Sequence, residues 1–191
     1  MSDAPQSPVF HAKSDDPQLT QAMERARATF KYFWRELTWE YRRIIPALDL
    51  AAIKAAFLDP GADPDDTEHM WLTNVEFDGQ AVRATLLNQP NHVRSIQPGD
   101  PVTLDPGAIE DWIYARQGRM YGGWTIQVLR AAMSPAERKS HDAAWGFKFA
   151  EPSRVNVVPD WNAEKRGWFA RTFRPAPATD VDPDAEHPWL P

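Results

Sequence analysis

The chain of 191 residues contains no cysteine. That absence excludes a disulfide framework, a thiolate nucleophile and any zinc or iron–sulfur site held by cysteine. Basic charge is also scarce: 21 Lys and Arg stand against 27 Asp and Glu, a formal charge of −6. This balance opposes general attraction to nucleic-acid phosphates, which depends on clustered Lys and Arg. Arg25, Arg27, Arg42 and Arg43 fall on one expected helix, where a solvated face explains them more simply than a phosphate-binding patch. No apolar run approaches the ~20 residues that cross a bilayer, and the start, MSDAPQSPVFHAKSDD, has no apolar stretch behind a basic one. The expectation is a soluble, cytoplasmic protein with neither a membrane nor a nucleic-acid partner.

The common catalytic signatures are missing too. No Gly-x-Ser-x-Gly elbow positions a serine nucleophile, and the serines fall in arms, turns or caps. Gly118, Gly122 and Gly123 form neither a P-loop nor a dinucleotide fingerprint. Asp63, Asp65, Asp66, Glu68 and His69 gather metal-compatible side chains, yet in the spacing of neither an EF-hand nor a His-Glu-x-x-His zinc helix. A polar, proline-broken turn is the simpler account, so no metal and no cofactor are assigned.

What is present argues for a folded core. The apolar fraction is 42% and there are nine tryptophans, each able to remove about 150–250 Å² from water. One domain over residues 16–171 is expected, with a flexible arm at 1–15 and a flexible, acidic, proline-rich tail at 172–191.

Leu19, Met23, Ala26, Phe30, Phe33, Leu37, Tyr41 and Ile44 repeat at helical spacing. With Asp16 as N-cap, Pro17 at the first position and Pro46 as the stop, the helix should run about 28 residues. Residues 48–58 are ambiguous between helix and strand and lean towards strand. EHMWLTNVEF alternates, placing His69, Trp71, Thr73, Val75 and Phe77 on one face and Glu68, Met70, Leu72, Asn74 and Glu76 on the other. Asp78-Gly79 then marks a hairpin, with QAVRATLL returning.

PVTLD and AIEDWIYA read as further strands. Residues 124–133 are open between strand and helix, slightly favouring helix. Ser134, Pro135 and Glu137 form a capping box that opens a short helix to about Trp145. FKFA and RVNVVP suggest a final strand. The fold class is therefore α+β: a long N-terminal helix on a curved, mainly antiparallel sheet, with a short additional helix near 135–145.

Candidate chemistry is confined to a few side chains. His69, on a face with Trp71 and Phe77, is more simply a satisfied core histidine than a general base. His11 and His187 fall in the expected tails, and His92 and His141 have no partner by spacing. Asp111 beside Trp112 could be a carboxylic acid in an apolar wall, although bracing the RQGRMYGG turn is the simpler role. The tryptophans could line a groove, with Trp71, Asn88, Trp112 and Trp124 as its binding candidates, but are first explained as core.

The ordered motifs EHMWLTNVEFDG, LLNQP, PGDPVTLDPGAIEDWIY and GGWTIQVL resemble the bacterial family called domain of unknown function 2314. The matching residues are Glu68, His69, Trp71, Asn88, Pro90, Gly99, Asp100, Asp111, Trp112, Gly122, Gly123, Trp124 and Thr125. The resemblance covers about residues 18 to 130, and AMERARATFKYFW looks like the family's start. Ala84 stands where glycine is expected, and the segment beyond Met133 has no counterpart. The resemblance implies a small bacterial α+β domain and no activity. Two functional expectations follow: a non-enzymatic protein-binding module, a bacterial immunity-type inhibitor being one example, or a small hydrolase-like enzyme with Glu68, His69 and Asp111 lining an aromatic pocket.

Overall fold

The computed structural model describes residues 16–159. The expected arm at 1–15, the boundary at 171 and the tail at 172–191 lie outside them. The long helix α1 spans Pro17–Glu40. Asp16 caps it by accepting from the Gln18 amide at 2.8 Å, while Pro17 occupies a position whose missing N–H needed no partner.

The helix is shorter than its apolar spacing predicts, and two tertiary contacts explain where it stops. Glu40 turns its carboxylate onward to accept from the Ala47 and Leu48 amides at 2.8 and 3.2 Å. Tyr41 donates its hydroxyl to the Val75 carbonyl at 2.6 Å. The chain leaves the helix axis there, so Tyr41 and Ile44 do not extend the buried stripe.

Six strands follow: β1 (Leu50–Phe57), β2 (Glu68–Phe77), β3 (Val82–Leu86), β4 (Pro101–Leu104), β5 (Ile109–Arg116) and β6 (Arg119–Gly122). They form one sheet in the order β4-β3-β2-β1-β5-β6, every pair antiparallel. Residues 50–57 are strand, as the lean suggested, whereas 124–132 are helical: α2 (Trp124–Ala132) precedes α3 (Pro135–Trp145). The Ser134–Glu137 capping box is formed. The molecule is thus α+β, with an open antiparallel sheet.

Strand β2 departs from simple alternation. Thr73 pairs with Thr85 and Glu76 with Arg83, so β2 uses three steps where β3 uses two. The extra residue is absorbed near Asn74, whose φ is 52°, a left-handed conformation that asparagine tolerates better than most side chains. Before this bulge, Met70 and Leu72 face α1 and Trp71 faces away; after it, Val75 and Phe77 rejoin the α1 side. His69 and Phe77 therefore do not share a face, contrary to the regular pattern.

On one face of the sheet Phe30, Phe33 and Leu37 of α1 meet Ile53, Leu72, Val82, Leu86, Ile109, Trp112 and Tyr114. The other face gathers Ala52, Trp71, Ile113, Ala115, Met120 and Ile126, with Trp145, Phe147 and Phe149 packed against them. The final strand expected within 146–170 does not form among the described residues. Lys148 makes a single parallel bridge with Arg119, and the Gly122 amide donates to the Asn156 carbonyl at 2.8 Å. The segment covers the β6 edge through isolated bonds instead of a ladder.

Candidate functional site

The three sequence candidates for catalysis take separate positions. Glu68 opens β2 and directs its carboxylate at the loop after β3, accepting from the amides of Asn91, His92 and Val93. Burial pushes its pKa up, but these three donors and the charge of His92 outweigh that and hold the carboxyl below its ordinary range. Asp59 secures the same loop further on, accepting from Arg94 and Ser95 at 2.8 and 3.1 Å.

Asp111 is wholly buried. One carboxylate oxygen accepts from the Trp112 and Trp124 amides at 2.8 and 3.0 Å. The other accepts from the Thr125 amide and hydroxyl at 2.7 and 2.6 Å. Gly123, which precedes Trp124, is the N-cap of α2 and carries no side chain to satisfy the Trp124 and Thr125 amides. Asp111 supplies the missing cap from a neighbouring strand, and its negative charge lies at the positive end of the helix dipole. Burial drives its carboxyl pKa above the ordinary value, against the Thr125 bonds and the charge of Lys54.

His69 finds a partner that spacing alone did not indicate. Its Nδ1 lies 2.7 Å from a carboxylate oxygen of Glu110, on the strand two places across the sheet. The pair is partly open to solvent, with 27% of the histidine side chain and 12% of the glutamate exposed. Glu110 stands at a register shift: β1 pairs Lys54 with Asp111 and Ala55 with Ile109, leaving Glu110 unpaired between them. A bulge of this kind redirects a side chain, and no local sequence signal marks it.

The four binding candidates are drawn into the structure. Asn88 accepts from the Trp71 amide at 2.6 Å, and the Trp71 ring meets Trp145 edge to face at 6.0 Å. Trp112 is completely buried and donates its indole N–H to the Ala26 carbonyl at 2.9 Å. Trp124 donates its own to the Thr29 hydroxyl at 3.0 Å. These residues fasten elements together; Trp112 presents nothing to a ligand.

Tyr41 and Ile44, expected on the buried face of the helix, are exposed instead, together with their neighbours Trp39 and Ile45. Trp39, Tyr41, Ile44 and Ile45 are 42%, 56%, 100% and 79% exposed. Beside Tyr41 lies a cleft of about 370 Å³ lined by Trp34, Tyr41, Glu76, Phe77, Asp78 and Arg83. The sequence did offer a sign, since the pair Ile44-Ile45 sits directly before Pro46. The periodic spacing of Tyr41 and Ile44 masked it.

Among the described residues these features define a small α+β arrangement of one antiparallel sheet and three α-helices, with exposed apolar side chains where α1 ends. The chain belongs to the bacterial family called domain of unknown function 2314, described as an uncharacterized protein conserved in bacteria, whose pattern matches residues 16–149. A putative ankyrin repeat protein of Neisseria meningitidis serogroup B is 43% identical over 152 residues, covering 80% of this chain and 60% of the relative. The uncharacterized protein YegJ of Escherichia coli K12 is 35% identical over 81 residues, covering 42% of this chain and 50% of the relative. The chain thus spans about half to three fifths of these relatives. No solved structure matches. Among the described residues, no helix is long and apolar enough to cross a membrane.

Proposed function

We propose that this protein is a non-enzymatic interaction module that holds a protein partner at the corner where α1 ends, a bacterial immunity-type inhibitor being one example. The observation that carries the reading is the exposure of Ile44 and Ile45 beside Trp39 and Tyr41. Adjacent, almost fully solvated isoleucines flanked by aromatics gain free energy when a partner removes them from water, at about 25 cal/mol per Å². One relative, of which this chain spans 60%, is named as a putative ankyrin repeat protein, a name that points towards interaction for that protein. The test is a capture experiment from the native host with the wild-type chain and the Ile44→Asp/Ile45→Asp variant. The wild type should retain a stoichiometric partner that the variant loses, with equal urea midpoints for the two proteins. Failure of the wild type to retain any partner counts against the module.

A second reading, a small hydrolase-like enzyme, draws support from one observation. Glu110 orients the His69 ring through Nδ1, the arrangement by which a carboxylate fixes a histidine for proton transfer at Nε2. Glu68 and Asp111 would not share the chemistry, since both are occupied by backbone donors. Hydrolysis of an ester panel that disappears in both His69→Gln and Glu110→Gln would favour this reading.

A further inference from the structure

We propose that the cleft between the end of α1 and the β2–β3 hairpin receives a cationic side chain, an arginine or lysine presented by the protein partner. The inference rests on the interaction-module reading and specifies what the partner must carry.

Three aromatic rings line the cleft, and two of its contacts fix them in place. Trp34 and Phe77 meet edge to face, with centroids 5.6 Å apart and planes at 86°. Tyr41 is held by its hydroxyl bond to the Val75 carbonyl. Rings locked in this way lose little freedom when a guest arrives, and their faces attract a cation through the ring quadrupole.

The acidic rim gives the cleft its charge preference. Asp78 is engaged three ways: it accepts from the Gln80 and Ala81 amides, each at 2.9 Å, and pairs with Arg83 at 2.9 Å. Glu76 is exposed and makes no ion pair among the described residues. Two carboxylates therefore face one guanidinium in the lining, and the surplus charge is that of Glu76. Its field reaches the rings: after burial, the Glu76 charge is what pushes the Tyr41 hydroxyl pKa up. Arg83 on Asp78 already shows a guanidinium seated at this rim.

An anionic guest would be repelled by Glu76, and a purely apolar one would leave that carboxylate partly desolvated without a partner. A cation satisfies both the rings and the surplus charge. Of the two arginines that follow Tyr41, Arg43 is neutralised by Glu40 at 2.8 Å, and Arg42 is exposed and outside the cleft lining. Ile44 and Ile45, three and four residues beyond Tyr41 in the chain, are exposed apolar side chains outside the cleft lining. The complementary partner segment carries an arginine or lysine next to apolar side chains.

The test uses the full chain and N-acetyl-arginine methylamide, N-acetyl-lysine methylamide and the neutral isostere N-acetyl-citrulline methylamide, followed by 1H–15N NMR. The two cationic probes should give saturable shifts at the Trp34 indole and at the Glu76, Phe77 and Asp78 amides. Citrulline should bind about fivefold to tenfold more weakly, and Glu76→Gln should weaken the arginine probe by a similar factor. Equal binding of arginine and citrulline, an unaltered Glu76→Gln, or shifts confined to other surfaces would each overturn the proposal. The two readings fail separately. A partner captured as well by Glu76→Lys as by wild type removes the cleft and keeps the module. Probe binding as expected by a chain that retains no partner keeps the cation site and removes the module.

Discussion

Replacing Glu68 by glutamine and by alanine separates a loop anchor from a catalytic acid. In the wild type one carboxylate gathers the amides of Asn91, His92 and Val93. A glutamine of the same shape can present one neutral oxygen to those donors, but its NH2 group must then face the Asn91 amide. Charge-assisted hydrogen bonds contribute about 1.5–3 kcal/mol each and neutral ones about 0.5–1.5, with the lower ends appropriate to a partly exposed site. Glu68→Gln should therefore cost about 1 kcal/mol and Glu68→Ala about 2–3 kcal/mol.

The pH dependence supplies a second, independent reading of the same contact. The folded carboxyl titrates below its ordinary value, so its stabilisation is fully present above the ordinary carboxylate range and is lost as pH falls through the folded pKa. Urea unfolding followed by tryptophan fluorescence should show the largest gap between wild type and Glu68→Gln near neutral pH, and a shrinking gap below about pH 4. Amide exchange at residues 91–93 should accelerate in both variants ahead of the rest of the chain. A gap that is constant or widens on acidification, or an alanine variant within about 0.5 kcal/mol of wild type, would refute the anchoring argument.

Asp111→Ala leaves the Trp124 and Thr125 amides at the start of α2 and the Trp112 amide of β5 without this acceptor and should cost about 4 kcal/mol in urea unfolding; Asp111→Asn, which keeps one acceptor oxygen, should cost about half that. Gly122→Ala should prevent folding, visible as loss of soluble expression and of near-UV circular dichroism, because its φ is 73° and a Cβ would overlap the Trp112 carbonyl and indole ring. Arg130 is 3% exposed and binds Asp142 through two bonds of 2.8 and 2.6 Å, as well as Gln127 and the Ala150 carbonyl. Arg130→Ala should cost about 3 kcal/mol by equilibrium unfolding, and Arg130→Lys should recover only part of it because the planar fork is gone.

The features legible in the sequence were those encoded within a few residues. Asp16-Pro17, Asp78-Gly79 and the Ser134–Glu137 box each act on donors two or three positions away, so their residue types announce them. The α1 stop is different: Pro46 marks where a helix must have ended, but Glu40 and Tyr41 end it earlier through bonds to Leu48 and to Val75, 34 residues distant. The alternation of EHMWLTNVEF located the strand, and the bulge at Asn74 changed its phase. For the candidate site, Asp111 and Asn88 were recognisable as residues, whereas their work as remote acceptors depended on strand order. The partner of His69 was missed because a second bulge, at Glu110, brings it there from 41 residues away.

The bulge at Asn74 makes the length of β2 as informative as its composition. A strand has two sides, and inserting one residue exchanges them for everything downstream. Substitution at position 74 would alter one conformation, and glycine should be accepted there readily. Deletion of the same residue would remove the bulge and let Val75 follow Thr73 in plain alternation, still on the α1 side; keeping the residue but forcing it into the extended conformation would turn Val75 and Phe77 away from α1 while leaving Trp71 where it is. The register of the hairpin, the closure of the core over Phe30 and the aromatic wall beside Tyr41 thus all depend on one asparagine holding a left-handed turn inside a strand.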